Sequence, residues 1–237
     1  MCCDPHQSDT SPSRGYRGPH GLGDDAARAL AQGAGAGQGI GAVAEESILK
    51  RWSEETGCLI PNQVWDEYRP ITNHTSEHEV RYRTHDHRAI KRTWPGMFGF
   101  IPRKVDGKWM PQAATPREYL CRQALQNDIF GDSIRLEGIM ISSGPSMLIG
   151  QPPGGLSIVI SQPWLDAADD RKPHPTDEQI ASHLAERGFE PLFGTLFGWM
   201  NPDYGYVVLD AKADNFILTP RGVLPIDLLI TECQAVA

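Results

Sequence analysis

Residues 206–227 read YVVLDAKADNFILTPRGVLPID, and this stretch decides the fold class that the sequence predicts. An apolar run opens the stretch, and a loop of acidic and small residues follows it at 210–215. Further apolar runs lie on either side of the turn Pro-Arg-Gly at 220–222. Apolar runs of strand length around such a turn predict a β-hairpin. The hairpin would return Asp227, at its end, to face Asn215, at its start.

Upstream of this stretch the pattern predicts more strands and helices. Residues 79–83 and 88–94 have strand composition and are joined by a polar turn. Residues 115–130 predict a helix, since Thr115 can cap it and Gly131 can end it. Strands at 133–141, 147–149 and 156–160 and a helix at 176–187 follow. This order predicts an α+β domain with an antiparallel sheet.

The beginning of the chain has a different composition. Residues 1–45 are rich in Gly, Ser, Pro, Asp and Ala, which bury too little apolar surface to offset the entropy of ordering. We therefore expect a disordered tail over 1–45 and a compact domain over 46–237.

Charge and cysteine content limit the classes of partner. The formal net charge of −8 argues against broad binding to nucleic acid or to anionic membranes. The five cysteines form no Cys-x-x-Cys pair, which suits a reducing compartment. No N-terminal apolar segment and no long apolar run is present. From these features we expect a cytoplasmic protein without a membrane span.

The polar residues around the hairpin have the spacing that phosphoryl transfer requires. Asp210-x-Lys212-x-x-Asn215 matches the Asp-x-Lys-x-x-Asn core of a protein-kinase catalytic loop. Asp227 directly follows a strand, as the magnesium-binding aspartate of kinases does. In this chemistry Asp210 positions the acceptor hydroxyl and Lys212 neutralises charge on the phosphoryl group. Asn215 and Asp227 would hold magnesium.

Two upstream residues are predicted to complete the site. Arg-Ala-Ile-Lys at 88–91 resembles the Val-Ala-Ile-Lys strand of kinases, so Lys91 is predicted to hold the phosphates. Glu118, on the first long helix, is predicted to form an ion pair with Lys91. The alternatives are a solvated strand lysine, a charge that favours the first helical turn, and a turn-forming Asx cluster around Asp210.

The chain is similar to the protein-kinase-like superfamily, and it resembles more narrowly the serine/threonine/tyrosine kinase-like domains of polyvalent proteins from phages and mobile elements. The residues behind the narrower likeness lie at 91–96, 118–120, 127–132, 210–215 and 226–227. The resemblance implies an N-lobe with one docked helix at about 65–160 and a reduced C-lobe at about 165–232. It implies a hinge at about 161–164 whose Ser161 and Gln162 meet adenine. It also implies ATP and Mg²⁺ as cofactors and a protein hydroxyl as acceptor.

The sequence departs from that family in several places. Val208-Leu209 replaces the usual His-Arg, residues 72–78 contain no glycine, and leucines rather than Phe-Gly follow Asp227. These departures support ATP binding better than protein phosphorylation. They leave open a catalytically inactive nucleotide-binding pseudokinase and a partner-binding module without nucleotide. A zinc site is a separate alternative, with candidate ligands His74, His78, His85 and His87.

Overall fold

The computed structural model describes residues 21–33, 41–71, 77–142 and 154–233. The helices are α1 (Gly21–Gly33), α2 (Ala42–Thr56), α3 (Asn62–Asp66), α4 (Pro116–Phe130) and α5 (Asp177–Ala185), with a 3-10 turn at Ala213–Asn215. The strands are β1 (Arg69–Pro70), β2 (His78–Arg83), β3 (Arg88–Thr93), β4 (Phe100–Val105), β5 (Lys108–Ala113), β6 (Arg135–Ser142), β7 (Gly155–Pro163), β8 (Glu190–Pro191), β9 (Trp199–Asn201), β10 (Tyr206–Leu209), β11 (Phe216–Thr219), β12 (Gly222–Pro225) and β13 (Leu229–Glu232). The named strands pair antiparallel, so the predicted α+β class with antiparallel sheets is confirmed for the described ranges.

The larger sheet has the strand order β1-β2-β3-β7-β6. Strands β2 and β3 pair across a turn at 84–87, as the sequence predicts. Strand β7 is buried along nearly its whole length, which suits its continuous apolar run. On one face its Ile158 packs against α4, and on the other its Val159 packs against Trp65 and Ile90. In this strand order β3, which carries Lys91, is the central strand of the sheet.

Helix α4 begins and ends where the sequence predicts. The Thr115 hydroxyl accepts a hydrogen bond from the Glu118 backbone N–H, and the Glu118 carboxylate accepts one from the Thr115 N–H. This reciprocal arrangement is a capping box. Gly131 ends the helix with a φ of 66°, a conformation that glycine adopts without steric cost. Tyr119 and Leu120 are buried against the larger sheet.

The second half of the chain forms a smaller sheet and a hairpin. The sheet has the order β13-β10-β9-β8, and β11 and β12 form the predicted hairpin, with Phe216 opposite Pro225. Helix α5 packs on these strands through Ile180 and Leu184. The C-terminal end of α4 joins the same core through Phe130. Helix α4 thus contacts the core of each half.

The structure contains a hairpin, β4–β5, that the sequence did not predict. Its loop is Asp106-Gly107, with φ values of 49° and 78°. Two consecutive residues with positive φ are typical of the type I′ turn that joins tightly paired strands. The hairpin leads directly into the cap of α4.

The N-terminal segment differs from the predicted disordered tail. Residues 21–33 form α1, and 42–45 are the first residues of α2. Ala26 and Leu30 of α1 are buried in the core that α4 and the larger sheet share, which stabilises the helix. Helices α1 and α2 therefore pack on this half in addition to the single docked helix that was expected. Residues 1–20 and 34–40 of the predicted tail and the strand predicted at 147–149 lie outside the described residues.

None of the helices in the described ranges is both long and apolar enough to cross a bilayer.

Candidate functional site

A cavity of about 620 Å³ is bounded by both halves of the chain. The larger sheet contributes Val80, Ala89 and Lys91, and the end of β7 and the following residues contribute 162–165. From the second half the lining residues include Asp210, Lys212, Asp214, Asn215, Ile217, Ile226 and Asp227. An apolar cavity with a few converging polar groups is the usual form of a small-molecule site.

Lys91 projects from the central strand β3 into this cavity. Its side chain is 8% exposed, and its Nζ donates a hydrogen bond of 2.5 Å to the Ile226 carbonyl oxygen. Burial lowers the pKa of Lys91, and the carboxylates of Asp227 and Asp132 act in the opposite direction. The ammonium is thus held beside the hairpin that carries Asp227.

Glu118 does not form the predicted ion pair with Lys91. One carboxylate oxygen accepts from the Thr115 N–H in the capping box, and the other lies 2.5 Å from Arg103 on β4. The side chain is 28% exposed, and Glu118 does not line the cavity. The local alternative, a carboxylate that stabilises the first turn of a helix, describes Glu118 correctly.

Arg122 lies at the centre of the charged cluster around Asp227, although the sequence did not single it out. It lies one turn beyond Glu118 on α4 and is 1% exposed. Its guanidinium lies 2.7 Å from Glu77 Oε2 and 2.7 Å from Asp227 Oδ1. It therefore joins Glu77, directly before β2, to Asp227, two residues after the β11–β12 hairpin. Such charge-assisted hydrogen bonds are the stronger kind.

His78 completes the cluster around Asp227. Its Nδ1 lies 3.6 Å from Asp227 Oδ2, and its Nε2 lies 2.9 Å from the Tyr119 hydroxyl. Burial alone would raise the pKa of Asp227, but the hydrogen bond from His78 and the charges of Arg122 and Lys91 hold that pKa well below its usual range. Asp227 is therefore a carboxylate at all physiological pH values.

The loop before the hairpin is held by its own side chains. Asn215 Nδ2 donates to the Asp210 carbonyl oxygen at 2.8 Å and to the Asp210 carboxylate at 2.7 Å. Asp210 has a φ of 59°, a conformation that only a few per cent of non-glycine residues adopt. Lys212 Nζ lies 3.3 Å from the Asp210 carboxylate. The Asp210 carboxylate stays 40% exposed, so it remains accessible from solvent.

The hairpin brings the backbone of Asn215 close to that of the residue before Asp227. The Ile226 N–H donates to the Asn215 carbonyl oxygen at 2.9 Å, and Asp227 is the next residue. Carboxylate and amide oxygens are ligands suited to Mg²⁺, which binds proteins through one or two carboxylates and the phosphates of its substrate. The donor types of Asp227 and Asn215 fit this use.

The predicted hinge is only partly at the cavity. Strand β7 runs through Pro163, so most of 161–164 is strand. Ser161 is buried and does not line the cavity. Its hydroxyl accepts a hydrogen bond from Arg88 and donates one to Glu137. Gln162 does line it, and its amide donates to the Pro225 carbonyl oxygen at 3.2 Å. Ser161 is therefore a structural residue and not the expected adenine contact.

The histidines proposed as zinc ligands do not come together in the described ranges. His85 is exposed beside Asp86, and His87 contacts the Tyr82 hydroxyl. The group of potential metal ligands found among the described residues is Glu77, His78 and Asp227, whose ligand atoms lie within 4.8 Å of one another. The Arg122 guanidinium already provides the positive charge between these carboxylates. His74 lies outside the described residues.

Comparisons with known proteins add no assignment. No protein family, no curated protein and no solved structure matches the chain. The residues themselves therefore carry the functional inference. Of those that the sequence predicts, Lys91, Gln162, Asp210, Lys212, Asn215 and Asp227 line the same cavity.

Proposed function

We propose that the cavity binds ATP with Mg²⁺ and that the chain is a kinase-like phosphotransferase, which transfers the γ-phosphoryl group to a hydroxyl on a protein. The observation that carries this proposal is the convergence of Lys91, Asp210, Lys212, Asn215 and Asp227 on one cavity. Lys91 lies more than a hundred positions before the other four, which fall within 210–227, and the types and order of the five are those that phosphoryl transfer from ATP requires.

Each residue then has a defined task. The Lys91 ammonium binds phosphate oxygens, and Asp227 and Asn215 hold the magnesium that neutralises the phosphates. The oxygen of the acceptor hydroxyl bonds to the γ-phosphorus, and Asp210 accepts the proton that this hydroxyl loses. The bond from the γ-phosphorus to the ADP oxygen breaks in the same step. Lys212 stabilises the negative charge of the transferred group.

The apolar lining provides room for the base. Val80 and Ala89 lie on the side of the larger sheet, and Ile217 lies on the side of the hairpin. A flat aromatic ring between such side chains is stabilised by removal of apolar surface from water. Residues 162–165 would lie along the edge of the ring.

The arrangement of the elements supports the same class of protein. An antiparallel sheet with α4 packed on it stands on one side of the cavity, and the smaller sheet with the hairpin stands on the other. This is compatible with a two-lobed kinase-like domain with a reduced C-lobe, as in the kinase-like domains of polyvalent proteins. A cytoplasmic location remains part of this proposal.

A second candidate function is nucleotide binding without turnover. Two contacts favour it: Arg122 lies 2.7 Å from Asp227, and Glu118 pairs with Arg103 instead of Lys91. A carboxylate already bound by a guanidinium attracts magnesium less strongly, since the two cations compete for one charge.

Paired variants of the two aspartates test the proposal. We expect Asp210→Asn to keep ATP binding and to abolish transfer, because the new amide cannot take the proton of the acceptor hydroxyl but its oxygen can still accept the hydrogen bond from Asn215. We expect Asp227→Asn to lose both the magnesium dependence of binding and transfer. Binding is measured by isothermal titration with ATP and magnesium, and transfer by release of ADP in the presence of a mixture of hydroxyl-bearing peptides. Asp166→Asn, at a carboxylate that is 75% exposed and outside the cavity lining, is the matched control.

The outcomes separate the two candidates. Magnesium-dependent ATP binding without ADP release in the wild-type protein would favour the module without turnover. Absence of ATP binding in the wild-type protein would contradict both.

A further inference from the structure

The loop at 192–198 presents apolar side chains to solvent beside the catalytic loop. Phe193 is fully exposed and Leu196 is 81% exposed. Residues 191–202 include no charged side chain, in a chain whose formal net charge is −8. We name Phe193 and Leu196 the 193–196 patch. Large apolar side chains grouped in water are a common mark of an interaction surface.

The loop that carries the patch is fixed to the catalytic loop. The Ala211 N–H donates to the Phe197 carbonyl oxygen at 3.0 Å, and Ala211 is the residue after Asp210. The Leu192 N–H donates to the Gly198 carbonyl oxygen at 2.8 Å, which closes the loop. Phe197 has a φ of 56°, in the left-handed region that residues with a side chain rarely adopt. The fold thus holds a strained, apolar loop at a set position beside Asp210.

We propose that the 193–196 patch binds an apolar side chain of the acceptor polypeptide, close in sequence to the hydroxyl that Asp210 receives. This inference rests on the proposed function and assigns its substrate class: a peptide segment with a phenylalanine- or leucine-like residue near the acceptor serine, threonine or tyrosine. A small polar acceptor would gain nothing from apolar side chains at this position.

The size and charge of the patch select this occupant over others. Two side chains offer at most a few hundred Å², whereas a stable dimer requires about 800 Å² from each partner. The negative net charge of the chain opposes contact with an anionic membrane. A flexible peptide that inserts one apolar residue fits both the small area and the absence of charge.

Peptide binding in the presence of a non-hydrolysable ATP analogue tests the inference without requiring turnover. The probes are short fluorescein-labelled peptides with a central serine and a phenylalanine at one flanking position, varied from peptide to peptide. A matched set has glycine at that position. Fluorescence anisotropy gives the affinity of the wild-type protein, of the double variant Phe193→Ser/Leu196→Ser, and of the control Val43→Ser, whose side chain is 78% exposed on α2.

We expect at least one phenylalanine peptide to bind the wild-type protein about tenfold more tightly than its glycine counterpart. The double variant should lose this preference and keep its affinity for the ATP analogue, and Val43→Ser should change neither. Equal affinities for both peptide sets in the wild-type protein would overturn the inference, while intact analogue binding would leave the proposed function standing. A wild-type dimer that the double variant converts to a monomer, or wild-type binding to neutral phosphatidylcholine vesicles that the variant loses, would overturn it as well.

Discussion

Arg122 connects the two halves of the molecule through the hydrogen bonds of its guanidinium. It lies on α4, and its guanidinium binds Glu77, before β2, and Asp227, after the hairpin. The partners are 45 and 105 positions away in the sequence, so no local pattern could predict them.

Glu118 is the opposite case. Thr115-x-x-Glu118 is a capping-box sequence, and the capping box is the contact that Glu118 makes. The resemblance to kinases had instead predicted an ion pair between Glu118 and Lys91.

We expect Arg122→Ala to destabilise the fold strongly. Removal of a guanidinium that is 1% exposed leaves the Glu77 and Asp227 carboxylates without their shared cation. Loss of one partner from a buried ion pair costs about 3–5 kcal/mol. Chemical denaturation with urea measures the change in the free energy of unfolding. The control is Arg103→Ala, whose ion pair with Glu118 is partly exposed and should cost less than about 1 kcal/mol. Equal costs for both variants would contradict this account.

Asp227 makes the stability depend on pH in one direction. Its pKa is depressed in the folded protein, so its contribution is complete above the ordinary carboxyl pKa of 3.8 and is lost as the pH falls below that value. His78, Arg122, Lys91 and Glu77 are the ionisable groups around it.

We expect Asp227→Asn to be less stable than the wild-type protein by about 1–3 kcal/mol at pH 7, because charge-assisted hydrogen bonds are lost. The difference should shrink below about pH 4, because the Asp227 carboxyl of the unfolded wild-type chain takes up a proton there while that of the folded protein stays ionised. Thermal denaturation of both proteins from pH 7 to about pH 3 measures it. A difference that is unchanged across this range would show that the Asp227 charge does not stabilise the fold.

At the scale of elements, the local signals predicted α4, the β2–β3 pair and the β11–β12 hairpin, since caps and turn residues specify each of them. The β4–β5 hairpin was missed although Asp106-Gly107, the strongest short hairpin signal, is present. Its strands contain prolines at 102 and 111, which disguise the strand pattern. The contact between β6 and the segment after α2 was not predictable, because only the packed fold shows that residue 138 meets residue 58.

Gly138 is required by that contact. Its φ is 155°, and a Cβ at this position would lie 2.2 Å from the Cys58 carbonyl oxygen. The Ile139 N–H donates to the same oxygen at 3.0 Å. We expect Gly138→Ala to lower the free energy of unfolding by about 1–3 kcal/mol, because backbone must move. The control is Gly23→Ala in α1, where nothing lies within 4 Å and alanine favours the helix by about 0.5–1 kcal/mol. Similar effects at both glycines would contradict the close packing of β6 on this segment.

On the scale of the whole molecule, the sequence predicts the α+β class and six of the cavity-lining residues, but not how the N-terminal segment packs. The composition of residues 1–45 indicates disorder when averaged over the segment. Within it, however, α1 places Ala26 and Leu30 four positions apart on one face, and that face packs beside Leu49 and Trp52 of α2. Tertiary packing stabilises a helix that composition alone does not predict.

Leu30→Ala tests whether α1 belongs to the core. The side chain is 1% exposed, so its truncation should leave a cavity and cost about 2–5 kcal/mol. Val43→Ala, at a side chain that is 78% exposed, should change the free energy of unfolding by less than about 0.5 kcal/mol. Urea denaturation of the full chain measures both. A negligible effect of Leu30→Ala would mean that the domain is stable without α1.

The central claim is that Lys91, Asp210, Lys212, Asn215 and Asp227 form one nucleotide site, and thermal denaturation with ATP and magnesium tests it most directly. ATP at about 100 times its dissociation constant should stabilise the wild-type protein by about 2.7 kcal/mol. Lys91→Met should lower the stability without ATP, because it removes the hydrogen bond to the Ile226 carbonyl oxygen and a positive charge beside Asp227. It should lose most of the stabilisation by ATP. Absence of stabilisation in the wild-type protein, or equal stabilisation in Lys91→Met, would contradict the claim.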